Sequence, residues 1–418
     1  MATTPALRVT AFLLVLATAC SPQATPDTSL PAPPTSPPPI PSALSFDCLG
    51  AALDCPQLVI EGDPPMSLPS GEPAPLRGHA DASIRRDPTT GDLWMASSYP
   101  GITVGVGGAR GTRVETHLAV SHDDGETWVS AGVLWDPVRT VSPEGVPGTT
   151  DHEVPNLLPV VGDDGGVTWY AARLDLFAPD GAGLGQRPLD SFRIVVTASD
   201  TVSGLAASPT ATLGSLRTDP RWSVDVALAD LDPALAACDL WNEPALHHAD
   251  DTLFLALRCL PLGEFDVPDL PRSSLEVFAT NAAGPPATWT WRYAGRLAGH
   301  SEAKALGGDG LTQVDFAITR DGRLIALVTP DSWSRQHQEF IHNGVVAIEV
   351  VSLDPPRLVT DATGAPIPLV VLTASDLVPL GPGAAAYEPT SETGIVLMRR
   401  VIGEASLVAT LHATGIHP

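Results

Sequence analysis

The chain has 418 residues, with 48 Asp and Glu against 23 Lys and Arg, and a formal net charge of −25 at pH 7. This excess of acid argues against a nucleic-acid partner, because binding to a phosphate backbone needs a basic surface, and against docking on anionic lipid by charge. Hydrophobic residues make up 44% and charged residues 17%, so the chain is not globally disordered. Its 37 Gly and 43 Pro are typical of short strands joined by many turns. Composition therefore predicts an acidic, all-β protein.

The first 19 residues have the features of a signal peptide. Arg8 precedes an apolar run of 11 residues, 9–19, which is too short to span a bilayer as a helix. Residues 16–20 read Leu-Ala-Thr-Ala-Cys and resemble a bacterial lipoprotein signal, in which Cys20 becomes the lipidated first residue. The resemblance implies a protein of the cell envelope, at the outer membrane in a Gram-negative cell, that meets the membrane only through its lipid anchor. Simple secretion is the alternative.

A proline-rich linker follows the signal peptide. Residues 21–44 contain nine prolines, mixed mainly with Ser, Thr and Ala. This composition does not pack a core, so residues 20–45 are predicted to form an extended tether. The folded domain is then predicted over residues 46–418.

The cysteine count is consistent with an exported protein. Without the lipidated cysteine four remain, which is an even number in an oxidising compartment. We expect two disulfides, a local Cys48–Cys55 bond and a Cys238–Cys259 bond across a hairpin. None of these cysteines has the spacing of zinc ligands, so no metal site is predicted on them.

From residue 80 onward the chain repeats one form, in which an acidic residue, a short apolar strand, a turn rich in Asp and Gly, and a second apolar strand follow each other. The leading acids, spaced 72 to 90 residues apart, are Asp81, Glu153, Glu243, Asp315 and Glu388. Further strand-like runs follow each pair, and four antiparallel strands per unit repeated around a ring make a β-propeller. We predict an all-β propeller with five blades, with six as the alternative. An N-terminal strand that includes residues 57–60 is expected to close the ring.

One turn carries a specific motif. Residues 121–128 read Ser-His-Asp-Asp-Gly-Glu-Thr-Trp and match the Asp-box, Ser-x-Asp-x-Gly-x-Thr-Trp, at Ser121, Asp123, Gly125, Thr127 and Trp128. In a hairpin turn the Asp accepts backbone N–H groups, the Gly allows positive φ, and the Trp packs under the turn. On these residues the chain resembles the sialidase-like Asp-box (BNR repeat) propeller superfamily. There the motif is structural and lies away from the catalytic face, so the resemblance implies fold and not activity.

The five leading acids are candidates for the channel mouth, because propeller active sites surround the channel where the innermost strands begin. Counting across each hairpin places one residue opposite each acid, in chain order Tyr99, Arg173, Arg258, Thr329 and Arg400. Opposed Glu and Arg on adjacent strands make ordinary cross-strand ion pairs, which is the structural explanation of this pattern. Carboxylates crowded around a narrow channel, however, raise some of their pKa values, as acid catalysis needs.

A sialidase-like function is the first catalytic alternative. Sialidases bind the substrate carboxylate with three arginines, and the resemblance implies Arg173, Arg258 and Arg400 in that role. It also implies a tyrosine nucleophile, which is Tyr99 or Tyr387 here. The Arg-Ile-Pro usually found on the first blade is absent, and Asp81-Ala-Ser-Ile-Arg-Arg stands in its place.

An arabinanase-like or β-xylosidase-like function is the second alternative. Asp81-Ala-Ser-Ile resembles the Asp-Pro-Ser-Ile of those five-bladed glycosidases, and Asn242-Glu243-Pro244 resembles their Glu-Gly-Pro. The resemblance implies Asp81 as the base, Glu243 as the general acid and Glu153 in the place of the residue that modulates the acid's pKa. Two carboxyl groups are the minimum that glycoside hydrolysis requires.

The sequence thus predicts an exported propeller that recognises an extracellular glycan at the channel face, with hydrolysis of that glycan left open. A non-catalytic scaffold, or a propeller that binds a surface protein, is the competing prediction. No cofactor is predicted. The Asp-rich turns at residues 163–164 and 250–251 are candidates for Ca²⁺, but solvated hairpin turns explain them better.

Overall fold

A computed structural model of the chain describes residues 10–11, 44–47, 55–63, 76–104, 110–142, 145–180, 186–187, 192–213, 228–264, 267–336, 339–373, 380–403 and 406–418. Within these residues the regular structure is almost all β-strand, with one α-helix, His300–Ala305. Short 3-10 helices span Ser203–Ala206, Pro233–Ala237, Leu270–Arg272 and Pro286–Thr288. No helix in the described part of the chain is long and apolar enough to cross a membrane. The predicted lipidation site, Cys20, lies outside the described residues.

Five mainly antiparallel sheets form blades 1 to 5 in chain order. From the axis outward, blade 1 contains Ala80–Arg86, Leu93–Val104, Arg110–Ser121 and Trp128–Trp135. Blade 2 contains Pro147–Val161, Val167–Pro179, Phe192–Ser199 and Thr210–Thr212. Blade 3 contains Leu240–Ala249, Thr252–Leu260, Ser274–Asn281 and Arg292–Ala298. Blade 4 contains Gly310–Ile318, Leu324–Ser334, Val345–Leu353 and Pro368–Thr373. Blade 5 contains Pro382–Tyr387, Ile395–Gly403, Ser406–Ala413 and Leu76–Gly78.

Shorter strands extend this framework. They are Leu44–Asp47, Glu339–His342 and Pro356–Leu358 in blade 4, Val138–Val141 in blade 2, Ile60–Glu61 in blade 1, and a separate ladder of Thr10–Ala11 with Gln186–Arg187.

The inner strand of each blade packs against the inner strand of the next, and that of blade 5 packs against that of blade 1. This arrangement closes a ring of five sheets and confirms the predicted five-bladed propeller. The front face is the end of the ring at which the inner strands begin, and the back face is the end at which they turn into the second strands.

Apolar side chains hold neighbouring blades together. On the second strand of blade 3, Leu253, Leu255 and Leu257 pack in a cluster with residues of blade 2, while Phe254 and Ala256 pack in a cluster with blade 4. Successive side chains of a strand point to opposite faces of its sheet, so this strand buries both faces and reads as a nearly continuous apolar run. Each fully buried leucine contributes roughly 1.5 to 3 kcal/mol.

Two N-terminal segments complete the outer edge of blade 5. Leu76–Gly78 pairs in parallel with the third strand of that blade, with Leu76 opposite Leu407. Further along the same edge, Leu58 N donates to Leu411 O at 2.8 Å. Ring closure by an N-terminal strand is confirmed, but residues 57–60 supply only part of it, because the strand Ile60–Glu61 pairs with blade 1.

The turn of the Asp-box motif closes on itself at the back face of blade 1. Asp123 accepts hydrogen bonds from Thr127 N at 2.9 Å and from Thr127 Oγ1 at 2.6 Å. Gly125 has a φ of 97°, and Trp128 Nε1 donates to Gly125 O at 3.2 Å. These contacts agree with the roles that the motif implies for Asp123, Gly125 and Trp128, and the turn lies at the end of the ring opposite the front face.

A disulfide joins Cys238 to Cys259, with Cα atoms 5.3 Å apart. It links the segment before the inner strand of blade 3 to the second strand of that blade, as the sequence predicts. Cys55 is buried, and its predicted partner Cys48 lies outside the described residues, so that bond stays a prediction.

Candidate functional site

Each inner strand carries one left-handed, non-glycine residue near its front end. The φ values lie between 41° and 56°, at Asp81, Val154, Glu243, Gln313 and Ala384. Each residue coincides with a register shift, a β-bulge, and all five line one cavity on the axis. A left-handed conformation costs a non-glycine residue about 1 to 2 kcal/mol. The repeated bulges therefore mark the centre of the front face.

A buried polar network fills the channel beneath this cavity. Arg85 Nη2 donates to Asp315 Oδ1 at 2.5 Å, and Asn156 Nδ2 donates to the same oxygen at 2.9 Å. Asn156 Oδ1 in turn accepts from Leu246 N at 2.9 Å. These four residues belong to blades 1, 4, 2 and 3, so the network ties four blades together at the axis. The cavity above it, which Asn156 and Asp315 also line, has a volume of about 20 Å³.

Three of the five predicted channel acids lie at this cavity's bulges. Asp81 and Glu243 occupy the left-handed positions of blades 1 and 3, and Glu153 precedes the left-handed Val154 of blade 2. Their charges act on one another, since both Asp81 and Glu153 raise the pKa of Glu243. The structure therefore brings together the three carboxyl groups that the arabinanase-like interpretation selected.

Of the other two acids, Asp315 also lines the cavity, although not at a left-handed position, and the prediction was wrong for Glu388. The left-handed residues of blades 4 and 5 are Gln313 and Ala384, which are not acidic. Asp315 lies two residues beyond Gln313, where it lines the same cavity and takes part in the buried network. Glu388 lies past the back end of its inner strand, where its carboxylate accepts from Arg86 N at 3.3 Å. Aligning the blade sequences on their first acidic residue could not detect which residues are left-handed, because a bulge is a feature of the backbone conformation.

The bulges also shift the predicted partners across the hairpins. Arg258 lies opposite Asn242, and Leu174 rather than Arg173 lies opposite Glu153. A bulge places one extra residue in the inner strand, so a count centred on the turn fails beyond it. Glu243 and Arg258 do not form a closed ion pair in the structure.

The Asp81 carboxyl group is held by neighbours from its own blade and from blade 4. Gln313 Nε2 donates to Asp81 Oδ1, and Ser98 bonds to the same carboxyl group. Burial raises the pKa of Asp81 above its usual range, while these hydrogen bonds and the charges of Arg400 and His342 limit the rise. Asp81 therefore has more partners that favour its ionised form than Glu243 has.

The surroundings of Glu243 favour its protonated form. Burial raises its pKa well above the usual range, and the negative charges of Asp81, Glu153 and Asp331 raise it further, against the opposing charge of Arg258. Two carboxyl groups that interact this strongly do not ionise together. Glu243 therefore keeps its proton where Asp81 has lost its own.

Two arginines near the cavity, Arg258 of blade 3 and Arg400 of blade 5, contact a short strand of blade 4, Glu339–His342. The Arg258 guanidinium, 1% exposed, stacks on the Phe340 ring at 4.5 Å and donates from Nη1 to Thr312 Oγ1 at 2.7 Å. Arg400 Nη2 donates to Phe340 O at 2.8 Å, and its Nη1 lies 3.4 Å from Glu339 Oε1. Phe340 thus holds both arginines in place, Arg258 near Glu243 and Arg400 near Asp81.

Two buried residues of blade 4, Asp331 and His342, were not predicted as site residues. Asp331 is 0% exposed, and its Oδ1 lies 2.6 Å from His342 Nδ1. Its other oxygen, Oδ2, lies 3.9 Å from Arg258 Nη2. The available signal was an aspartate at the end of an apolar strand, in Thr329-Pro330-Asp331. Its partner, His342, lies on the ribbon that Glu339–His342 forms with Leu324–Ser334. The register of this ribbon is set only in the folded chain.

The third predicted arginine has partners of its own. Arg173 Nε donates to Asp175 Oδ1 at 2.8 Å, and its guanidinium lies 4.4 Å from the centroid of the Trp135 ring. Arg258 and Arg400 contact Phe340 instead. The three arginines are therefore not gathered around one binding point, as a sialidase-like site would require.

The two predicted tyrosines also lie apart from the carboxyl pair. Tyr99 stacks on His117 in blade 1, with ring centroids 4.3 Å apart. Tyr387 ends the inner strand of blade 5 at the back face, where its hydroxyl lies 3.2 Å from His417 Nδ1. The prediction of Tyr387 as a nucleophile was wrong, because the strand carries it to the opposite end of the ring from Asp81.

Several buried polar atoms around the cavity have no hydrogen-bond partner among the described residues. The acceptors are Asn242 Oδ1, Glu243 Oε2, Gln313 Oε1 and Asp331 Oδ2, and the donors are Arg258 Nε, Arg258 Nη2 and Arg400 Nε. Buried polar groups are normally paired, so this centre suits a ligand that both donates and accepts hydrogen bonds. The described residues contain no group of three or more His, Cys, Asp or Glu able to hold a metal ion.

Comparison of the sequence with models of known protein families and with curated proteins gives no match. Among solved structures, the chain is similar to an α-L-arabinofuranosidase from Podospora anserina in complex with cellotriose, at 10% identity, with 90% of this chain and 95% of that chain covered and a TM-score of 0.44. It is similar to a glycosyl hydrolase from Bacteroides ovatus, at 10% identity, 82% and 87% coverage, and a TM-score of 0.45. It is also similar to the catalytic domain of a Coprinopsis cinerea α-L-arabinofuranosidase, at 9% identity, 89% and 96% coverage, and a TM-score of 0.42. Similarity at this level does not assign an activity to this chain. The chemistry of its site depends on its own side chains.

Proposed function

We propose that this protein is a glycoside hydrolase that acts on an extracellular glycan at the front face, with Asp81 and Glu243 as its catalytic pair. The observation that carries the proposal is the placement of these two carboxyl groups. They occupy the same left-handed bulge position in blades 1 and 3 and line one cavity, and the negative charge of Asp81 raises the pKa of Glu243. Glycoside hydrolysis requires two carboxyl groups that flank the bond and differ in protonation.

The surroundings of the pair assign the two roles. Glu243 holds its proton and acts as the general acid that protonates the leaving oxygen. Asp81, beside Arg400 and Gln313, is the ionised group and acts as the base. Glu153 contributes a negative charge that keeps the pKa of Glu243 high, as a modulating residue does.

A carbohydrate suits the polar character of the cavity. Sugar hydroxyl groups donate and accept hydrogen bonds, and the centre offers unpaired atoms of both kinds on Glu243, Gln313 and Arg258. An anionic ligand suits it less well, because the carboxyl groups of Asp81 and Glu243 share the cavity with few free cations. A neutral glycan is therefore the substrate class we propose.

A leaving-group series in the purified chain tests the assignment. Glu243→Gln removes the general acid, so we expect kcat to fall about 10²- to 10⁴-fold on alkyl or sugar-linked glycosides. The loss should be far smaller on dinitrophenyl glycosides, whose leaving group departs without a proton. Asp81→Asn should lose activity on both kinds of substrate. The panel covers α-arabinofuranosides, β-xylosides and a sialoside, and rates are measured by release of the aglycone.

Glu276→Gln is the matched control for this experiment. Glu276 is another buried acid, with Arg296 Nε at 3.0 Å from its Oε1, and it lies on the third strand of blade 3. Its substitution should leave turnover unchanged. Equal loss in Glu276→Gln and Glu243→Gln, or the same loss on both leaving groups in Glu243→Gln, would contradict the assignment of the general acid.

A non-catalytic scaffold is the second candidate, and the filled channel beneath the cavity supports it. In that case no glycoside of the panel is cleaved, and sugar or surface-protein binding is the function that remains. We also propose that the protein is exported and anchored by Cys20 in the cell envelope, on the strength of its N-terminal sequence. Labelling with a radioactive fatty acid, lost in Cys20→Ser, tests this.

A further inference from the structure

We propose that Asp331 is a positioning residue of the proposed active centre, whose two carboxylate oxygens hold the His342 imidazole beside Asp81 and the Arg258 guanidinium beside Glu243. The inference rests on the proposed function, and it assigns a role to a buried residue that touches neither of the proposed catalytic oxygens. Asp331 belongs to the second strand of blade 4, one strand away from the axis.

The contacts of Asp331 reach toward both halves of the catalytic pair. Its Oδ1 accepts from His342 Nδ1 at 2.6 Å, and its Oδ2 lies 3.9 Å from Arg258 Nη2. Asp331 is 0% exposed, so neither contact competes with solvent. A buried carboxylate without these two cationic or donor partners would carry a desolvation penalty of several kcal/mol.

Close packing also fixes the position of the His342 imidazole, which is hydrogen-bonded to Asp331. His342 N donates to Leu380 O at 2.8 Å, which joins the ribbon to blade 5. A methyl group in place of the hydrogen on Gly383 would lie 2.5 Å from the His342 ring, so this position has room only for glycine. Gly383 precedes the left-handed Ala384 that lines the cavity. His342 is therefore clamped between Asp331 and the inner strand of blade 5.

Charges from every neighbouring element act on these groups. Glu243 is faced by Asp81, Glu153, Arg258 and Asp331, and His342 is faced by Arg400, Asp331 and Glu339. Burial lowers the pKa of His342, so its ring is neutral and donates its Nδ1 proton to Asp331. The negative charge of Asp331 helps to keep the pKa of Glu243 high. Removal of that charge should release the Glu243 proton at lower pH.

The test compares Asp331→Asn with the control Glu276→Gln in the full chain. The first measurement is a carboxyl ¹³C NMR titration, in which the Glu243 signal is identified by its loss in Glu243→Gln. We expect the pKa of Glu243 to fall by about one unit in Asp331→Asn. It should not move in Glu276→Gln. The alkaline limb of kcat/KM against pH should fall by the same amount in Asp331→Asn alone.

A third measurement needs only the wild-type chain, so it decides the matter even if Asp331→Asn fails to fold. The ¹⁵N signals of the His342 ring, identified by their loss in His342→Gln, should show a neutral ring protonated at Nδ1. A ring protonated at Nε2 alone would overturn the proposal, since Nδ1 then has no proton to share with Asp331. An unchanged Glu243 titration in a folded Asp331→Asn, with only thermal stability reduced, would overturn it as well. A shifted titration in a chain that cleaves no glycoside would support the positioning role and refute the proposed function.

Discussion

Five non-glycine residues adopt the left-handed conformation at the centre of the front face, and two of them are the proposed catalytic acids. This conformation costs about 1 to 2 kcal/mol at each such residue. Strain of this kind persists only where the surrounding structure fixes it, and here the bulge directs the Asp81 and Glu243 side chains to the axis. Hydrogen bonds between blades hold the bulges, as in Ala384 N to Thr329 Oγ1 at 3.0 Å.

Two adjacent alanines in blade 5 allow this strain to be measured. Ala384 has a φ of 49°, whereas Ala385 is a paired strand residue opposite Leu397, and both are buried. Substitution by glycine removes the same methyl group and adds the same chain entropy at both positions. Only Ala384→Gly also relieves strain, so we expect it to destabilise the fold by about 1 kcal/mol less than Ala385→Gly. Urea unfolding of the two variants measures the difference, and equal values would show that the left-handed residue is not strained.

At the scale of the element, the outer edge of blade 5 depends on a strand of three residues from the N-terminal part of the chain. Leu76–Gly78 reaches the third strand of the blade, and the close approach of the two backbones requires a glycine at its end. Gly78 has a φ of 101°, and a Cβ there would lie 1.9 Å from Ala409 O. This contact is between backbone atoms and has no flexible side chain that could move aside.

Gly78→Ala should therefore disrupt the pairing of Leu76–Gly78 with the third strand of blade 5. We expect its unfolding free energy to fall by clearly more than the roughly 1 kcal/mol expected for Gly91→Ala. Gly91 is the matched control, because its φ of 83° is also left-handed but no atom lies within 4 Å of a Cβ built there. Thermal unfolding and amide exchange of Ser406–Ala413 measure the effect. If both variants lost the same stability, the backbone contact at Gly78 would not be what holds the ring closed.

At the scale of the whole molecule, an ionised cluster fastens the N-terminal segment 55–63 to blade 1. Asp63 Oδ1 lies 2.9 Å from His117 Nδ1, and Asp63 Oδ2 lies 2.9 Å from His79 Nε2. Glu115 Oε2 lies 2.8 Å from the other ring nitrogen of His117. Burial alone would lower the pKa of His117, but the hydrogen bonds and charges of Asp63 and Glu115 outweigh it and raise that pKa to about 9.

The stability of the whole chain should depend on pH through this cluster. The His117 pKa is raised from 6.5 to about 9, so its contribution is complete below pH 6.5 and disappears as the pH rises through about 9. The pKa of Asp63 is lowered, so its contribution is present above pH 3.8 and disappears as the pH falls through its value in the folded state. The alkaline loss is on the order of 2 to 3 kcal/mol. Urea unfolding across these ranges measures it.

His117→Gln should abolish most of the alkaline loss, and His122→Gln should retain it. His122 is the control, because it also contacts a carboxylate, Asp92, but its side chain is 67% exposed. An alkaline loss of the same size in His117→Gln and wild type would place its origin in another group.

Much of the fold could be predicted from the sequence because its signals are local. The turn chemistry of residues 121–128, the alternating apolar strands and the spacing of the repeats all depend on neighbouring residues, and the five-bladed ring is confirmed. The Cys238–Cys259 bond was predictable for the same reason, since its two cysteines face each other across one hairpin. Asp81, Glu243 and Asp315 line the central cavity, and their signal in the sequence was their position near the start of a strand in the repeat.

The rest of the site was decided by contacts between blades. A bulge leaves no mark in the sequence of a strand, so Gln313 was not predicted as the left-handed residue of blade 4. Glu388 was misplaced because the inner strand of blade 5, Pro382–Tyr387, ends before it. Asp331 and His342 meet only when blade 4 folds its ribbon against blade 5. The sequence by itself determined the strands, the turns and the number of blades, because these follow from local propensity and periodicity. Only the tertiary structure decided which carboxyl groups share the axis, because that depends on the register in which five separate strands pack together.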